Sequence, residues 1–322
     1  MMTTTCPAFA KLNLTLRVLG RREDGYHLLD SLVAFTDYGD TVTAEAADGL
    51  SLTVEGPFGA ALAASTAPAP NPALADPTLA TPLHDNLVIR AARLLAREAG
   101  IPPNARLSLV KRLPVASGIG GGSSDAAATL LALADLWKLR PAAEDLARLA
   151  LSLGADVPVC LRQHSARLQG IGERIGPAPR LPAVPILLVN PGLALSTPSV
   201  FKEYARQAAA TPSLNDPHAG GHPDTGIEAL YTATIETAGD LAAALAGQEN
   251  DLTHAALTLQ PAIGTVLAAL DRSEGRLTAR MSGSGATCFA LYAKSAEATR
   301  AEEALKAEHP DWWVVATRLR AD

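Results

Sequence analysis

Between Arg112 and Leu131 the chain reads RLPVASGIGGGSSDAAATLL, four glycines and three serines set between a strand-like run and an alanine-rich one. Glycine carries no Cβ, so main-chain N–H groups can crowd together there and a ligand can approach them closely. A helix that starts straight after such a turn aims its free N–H groups and the positive end of its dipole at the same place. That arrangement favours an anion, phosphate above all. An ordinary strand–turn–helix connection is short and needs far less glycine. The two common phosphate loops do not fit. No lysine follows the glycines as G-x-x-x-x-G-K-[ST] requires, and a G-x-G-x-x-G reading meets Ser123 from Gly118 and Asp125 from Gly120. What remains is Pro114, a Gly/Ser turn, and Ser123-Ser124, either of which suits the cap of an Ala/Leu helix running to about Trp137.

A chain of 322 residues has room for two modest domains around that junction. Apolar content of 48% with 19% charged residues describes a globular protein. A net charge of −6 argues against a nucleic-acid partner, which asks for a basic field. No apolar run approaches the roughly 20 residues that span a bilayer, and MMTTTCPAFAKLNL lacks the pattern of a secretory leader. Cys6, Cys160 and Cys288 are far apart with no CxxC spacing. Neither a disulfide framework nor a zinc site is expected, and a reducing cytoplasm fits.

FAKLNLTLRVL alternates strictly, Ala10, Leu12, Leu14, Leu16 and Val18 opposite Lys11, Asn13, Thr15 and Arg17, which predicts a half-buried strand. DSLVAFTDYGDTVTAEA and ARLSLVKRL also read as strands, and DNLVIRAARLLAREAG as a helix stopped by Gly100. Residues 57–82, rich in Ala and Pro without a period, predict a surface insertion. PAAEDLARLALSLG reads as a helix ending at Gly154, and ILLVN, beyond the proline-rich GPAPRLPAVP, as a buried strand. The carboxyl end reads as strand, Gly/Ser loop, strand, helix, strand. Strands and helices without steady βαβ alternation predict an α+β fold.

By residue type alone, Lys11 and Asn13 share one strand face and can aim into one site, although a solvated strand face is the better reading of the residues by themselves. Asp156, past a helix stop and before Pro158, is either a turn residue or a carboxylate held in a fixed loop. The SGSGA stretch can be a plain hairpin turn. His218 and His222 have i,i+4 spacing for a metal, but the prolines and glycines around them favour a polar loop. Trp312 and Trp313 read as an edge-to-core strand with one ring buried.

PVASGIGGGSSDAA resembles the phosphate-binding motif of the GHMP kinases, the superfamily of galactokinase, homoserine kinase, mevalonate kinase and phosphomevalonate kinase. FAKLNLTL near the amino end and MSGSGATCFAL near the carboxyl end resemble its other two signatures. AKLNL, GRREDGYHLLDSLV, GIGGGSSDAA, LGADVPVCL and GIGE, in that order, resemble the branch acting on 4-diphosphocytidyl-2-C-methyl-D-erythritol in the non-mevalonate isoprenoid pathway. The resemblance spans nearly the whole chain apart from 57–82 and about 204–238. It departs at Phe9, where the family usually shows proline.

The resemblance implies a two-domain α+β kinase. A ribosomal-protein-S5-like, ATP-binding domain would occupy 1–178 and a ferredoxin-like domain 179–322, with the active site in the cleft between them. It implies ATP and Mg²⁺ as cofactors, a small-molecule acceptor, and no nucleic-acid or membrane partner. Asp156 would be the catalytic carboxylate and Lys11 its cationic partner, holding Asp156 ionised, favouring the attacking alkoxide, or both. Such a pair suits phosphoryl transfer, which is mainly positioning and charge stabilisation. Pro114, Val115, Ala116, Ser117, Gly118, Ile119, Gly120, Gly121, Gly122, Ser123 and Ser124 would bind ATP, with Ser124 also a candidate Mg²⁺ ligand. Asn13, Tyr26, His27, Thr197, Phe201, Gly283 and Gly285 would bind the acceptor, Tyr26 and Phe201 stacking on cytosine and His27 hydrogen-bonding its edge. Two rivals follow: a GHMP kinase for homoserine or mevalonate, against which DGYH and GADVP speak, and a silent ligand-binding member, against which the presence of Lys11 and Asp156 speaks.

Overall fold

The structure, a computed structural model, describes residues 2–64, 86–210 and 225–322. His218 and His222, and most of the 57–82 insertion, lie outside the described residues. In chain order come β1 (Thr3–Asn13), β2 (Arg17–Arg21), β3 (His27–Glu45), β4 (Leu50–Glu55), α1 (Gly59–Ala64), α2 (Leu87–Ala99) and β5 (Ala105–Val110). Then follow α3 (Gly121–Leu136), α4 (Ala143–Leu153), α5 (Val157–Arg162), β6 (Ala166–Gly170), β7 (Arg174–Gly176) and β8 (Pro185–Asn190). The remainder is α6 (Thr197–Ala210), α7 (Thr225–Thr232), α8 (Ala238–Leu245), α9 (Thr253–Leu259), α10 (Ala262–Arg272), β9 (Arg276–Met281), β10 (Cys288–Tyr292), α11 (Ser295–Glu308) and β11 (Trp313–Arg318). The α+β expectation is borne out, and the insertion opens with a short helix, α1.

These elements fall into two compact units. The first holds Met1–Ala10, Gly39–Val115 and Gly120–Arg162; the second holds Lys11–Tyr38, Ala116–Ile119 and Gln163–Asp322. The long strands β1 and β3 therefore contribute residues to both.

In the first unit β5 pairs parallel with β4 and antiparallel with the end of β3, Thr41 opposite Val110. Its alternation puts Ala105, Leu107 and Leu109 wholly inside. Helix α2 stops where a residue with positive φ is needed, at Gly100 (φ 66°). Helix α3 is apolar around almost its whole circumference, Ala126 to Leu130 being buried in succession, as befits a helix enclosed on all sides. Gly120 (φ 66°) is its N-cap. Ser123 and Ser124 therefore do not cap the helix but lie within its first turn, where the Ser124 hydroxyl donates to the Phe9 carbonyl at 2.7 Å.

In the second unit the start of β3 pairs antiparallel with β2 (Arg17 opposite Asp30) and β6 (Leu29 opposite Gly170). A separate antiparallel sheet runs in the order β11-β8-β10-β9. Ile186, Leu187, Leu188 and Val189 of β8 are all 0% exposed, each contributing about 1.5–3 kcal/mol by leaving water. Residues of α10 and α11, Val266, Leu270 and Leu305 among them, close the core with Val189, Ala290 and Tyr292.

The half-buried strand expected over Phe9–Leu19 is corrected. Strand β1 ends at Asn13, and Lys11, Asn13 and Thr15 on the supposedly wet face are as buried as the leucines opposite. Polar side chains accept such a place when their hydrogen bonds are satisfied. Thr15 Oγ1 accepts from Leu32 N at 3.0 Å, and Ser31 Oγ donates to the Thr15 carbonyl at 2.5 Å.

Candidate active site

The glycine loop leaves β5 at Val110 and ends where α3 begins. Gly120 has no side chain with which to cap α3, so the first amides of the helix are left for other acceptors. Gly121 and Gly122 keep the helix entrance bare: a Cβ on Gly121 would sit 3.1 Å from Lys111 Nζ, and one on Gly122 would meet only Leu87 Cδ1, at 3.4 Å. Bare, dipole-positive backbone of this kind fits a polyphosphate.

Within the second unit, the middle of the loop is gripped by main chain. Gly118 has φ +75°, and a Cβ there would lie 2.6 Å from both the Ser282 and Gly285 carbonyl oxygens. Gly283 (φ +55°) is barred likewise by the Gly118 carbonyl, 2.7 Å from where its Cβ would be. Thr287 N donates to Ser117 O (3.1 Å), Leu195 N to Ala116 O (3.3 Å) and Lys11 N to Ile119 O (3.0 Å). The SGSGA stretch is thus both the β9–β10 hairpin loop and the seat of Gly118.

Lys11 is 3% exposed and Asn13 5%. Lys11 Nζ donates to Asn13 Oδ1 at 3.0 Å, and Asn13 Nδ2 donates to Ser31 Oγ at 2.7 Å. Because an ammonium can only donate, the Asn13 amide oxygen must face Lys11 and its NH₂ must face Ser31. Asn13 N donates to Ser282 Oγ (3.1 Å), whose proton goes to the Gly118 carbonyl (3.1 Å). One continuous hydrogen-bonded set therefore links Lys11, Asn13 and the loop glycine. Asp156, in the first unit, is half-buried in the turn that opens α5; Cys160 N donates to its carbonyl at 3.3 Å. Pro158 falls in the first turn of α5, where its missing N–H is harmless.

The aromatic residues lie in the second unit. His27 stacks on Phe201, ring centroids 5.0 Å apart and planes 21° apart, while Tyr204 meets its edge at 5.9 Å. Burial, and secondarily the nearby Arg21 charge, lowers the His27 pKa, so the ring is neutral at pH 7. Tyr26 is 60% exposed. Thr197 Oγ1 and Ser284 Oγ share a hydrogen bond of 2.7 Å. Among the described residues no group of three or more His, Cys, Asp and Glu side chains is placed to hold a metal, and no helix is long and apolar enough to cross a membrane. Ser124 is buried beside Cys160, Oγ to Sγ 3.4 Å.

Two charged clusters went unread in the sequence. In one, Asp30, buried on β3, takes Arg167 Nε and Nη2 (3.0 and 2.6 Å), Gln169 Nε2 (3.1 Å) and the Tyr231 hydroxyl (2.9 Å), and the guanidinium lies 4.1 Å above the Tyr231 ring. The other joins Lys111, Asp40 and Asp125. The sequence around them gives no local signal, Lys111 standing beside Arg112 and Asp40 between Gly39 and Thr41, and the partners lie too far apart along the chain to be matched.

The GHMP kinases N terminal domain model matches residues 86–164 and the GHMP kinases C terminal model residues 227–311. The chain is 46% identical over 319 residues to the 4-diphosphocytidyl-2-C-methyl-D-erythritol kinase of Paramagnetospirillum magneticum, covering 99% of each chain. It is 50% identical over 308 residues to the kinase of the same name from Parvibaculum lavamentivorans, covering 95% of each. A crystal structure of 4-(cytidine 5'-diphospho)-2C-methyl-D-erythritol kinase superposes with a TM-score of 0.72 at 34% identity, covering the whole of both chains.

Proposed function

The chain belongs to the 4-diphosphocytidyl-2-C-methyl-D-erythritol kinases of the GHMP family, and from that premise we propose how its residues divide the work of phosphorylating that compound with ATP. The γ-phosphoryl group goes to the 2-hydroxyl, giving the 2-phosphate and ADP in the non-mevalonate route to isoprenoid precursors. The observation that carries the assignment of roles is the buried, hydrogen-bonded tie between Lys11, Asn13 and Gly118. It holds the Lys11 ammonium against the Asn13 amide oxygen and ties Asn13 through Ser282 to Gly118.

In this reading residues 1–178 supply the ATP-binding part and 179–322 the second domain. Pro114 to Ser124 hold the ATP phosphates through main-chain N–H groups and the positive end of α3. Asp156 accepts the proton of the acceptor hydroxyl, and Lys11 offsets the charge that develops on that oxygen. Asn13 turns its amide oxygen to the Lys11 ammonium and so holds it in place. Phe201, Tyr26 and neutral His27 receive the cytosine, by stacking and by a directional hydrogen bond. Mg²⁺ neutralises phosphate charge when bound with ATP, and Ser124 is the side chain to test as its ligand.

The deciding assay supplies ATP and Mg²⁺ with each of three alcohols and follows ADP. ADP should form with 4-diphosphocytidyl-2-C-methyl-D-erythritol and not with homoserine or mevalonate. Turnover of either of the others at a comparable rate overturns the narrow reading, and no turnover of any supports a silent binder.

A further inference from the structure

Lys111 follows β5 directly and is 2% exposed. Its Nζ lies 2.6 Å from Asp40 Oδ2 on β3 and 2.6 Å from Asp125 Oδ2 on α3, both carboxylates equally buried. Asp40 Oδ1 takes the next two backbone amides, Arg112 N at 2.5 Å and Leu113 N at 2.8 Å. The Lys111 main chain is pinned as well: its N–H donates to Glu55 O (2.7 Å) and its carbonyl accepts from Phe58 N (3.1 Å). Burial pulls the Lys111 pKa down, but the carboxylates of Asp125 and Asp40 outweigh it and raise it above the ordinary lysine value. Asp125 Oδ1 has no hydrogen-bond partner among the described residues.

Three buried charges are a poor way to add stability, since well-packed apolar side chains of similar volume do as well or better. Their place in the chain points to another use. Lys111, Arg112 and Leu113 lead into the phosphate loop, and Asp125 lies on the first turns of the helix that leaves it. The ammonium comes so close under Gly121 that a Cβ there would be 3.1 Å from Nζ. We propose that Lys111, held by Asp40 and Asp125, is a positioning residue for the ATP-phosphate loop: it locks the strand that enters the loop to the helix that leaves it. Mutual spacing of these two ends sets where the Gly120–Ser124 amides point. The proposal rests on the reading of that loop as the ATP cradle.

Lys111→Met alone leaves two buried carboxylates without their cation and should melt well below the wild type. The Lys111→Met/Asp125→Asn double variant removes one of those charges while Asp40 keeps its two backbone amides, so it should recover much of the lost melting temperature. In the folded double variant the dissociation constant and KM for ATP should rise about tenfold or more, because small misplacements far from the chemistry are felt there. The acceptor KM should stay within about twofold of wild type, since the residues that touch the acceptor are unchanged. A merely structural cluster would shift melting and leave ATP affinity alone; that result overturns the proposal. Should the double variant not fold, Asp125→Asn is read in the same way. Gly122→Val separates the two levels. If it weakens ATP while the double variant does not, only the positioning role falls; if it too binds ATP normally, the cradle falls and the proposal with it.

Discussion

Lys11 and Asp156 carry the chemistry if one holds charge and the other takes a proton. Asp156→Asn keeps the shape and removes the acceptor, so kcat should fall by roughly 10²-fold or more while both substrates still bind. Lys11→Met should act alike, with calorimetric binding set beside turnover; near-normal kcat in Asp156→Asn would make this a turn residue and nothing more. His27 gives a prediction in pH. Its pKa lies below the ordinary 6.5, burial being the larger cause and Arg21 the lesser. A histidine depressed in the folded state contributes stability that is present above 6.5 and lost as pH falls through the folded value. Its imidazole proton resonances should therefore titrate with a midpoint under 6.5. The acceptor KM should hold steady from pH 8 down to 6.5 and rise only below that.

At the level of elements, glycines that look alike in the sequence do different work. Gly118 stands at positive φ with two carbonyl oxygens 2.6 Å from any Cβ, and backbone cannot step aside. Gly118→Ala should destabilise the protein by roughly 2 kcal/mol or more, read as a lower denaturation midpoint. Gly122 faces only the end of Leu87, a flexible side chain. Gly122→Val should keep the melting temperature near wild type and weaken ATP binding by crowding the cradle. Equal ATP affinity with and without the valine would show that phosphate binds elsewhere. The same contrast marks the limit of pattern reading. GIGGGSS announced a strand–turn–helix junction correctly and misplaced the cap, because Gly120, not a serine, takes the left-handed position from which α3 starts. The strict alternation of FAKLNLTLRVL announced a strand but not that both its faces are buried.

Across the whole molecule, what local pattern can specify was specified by the sequence alone: the α+β class, the helix stops at Gly100 and Gly154, the buried β8 and the hairpin at the carboxyl end. Those features depend on periodicity, on glycine conformation and on capping, all carried by residues a few positions apart. Family resemblance extended this to a reaction and an acceptor, and the kinship is borne out. Only the tertiary structure decided which polar residues go inside and who satisfies them. Lys11 is buried because Asn13 accepts from it, and Asn13 because Ser31, 18 residues on, and Ser282, 269 residues on, complete its bonds. Lys111 finds Asp40 at a separation of 71 residues, and Asp30 finds Tyr231 at 201. Burying a charge is prohibitive without such partners and tolerable with them. That balance is set by groups brought together only when the chain has folded, so no local pattern of the sequence announces it.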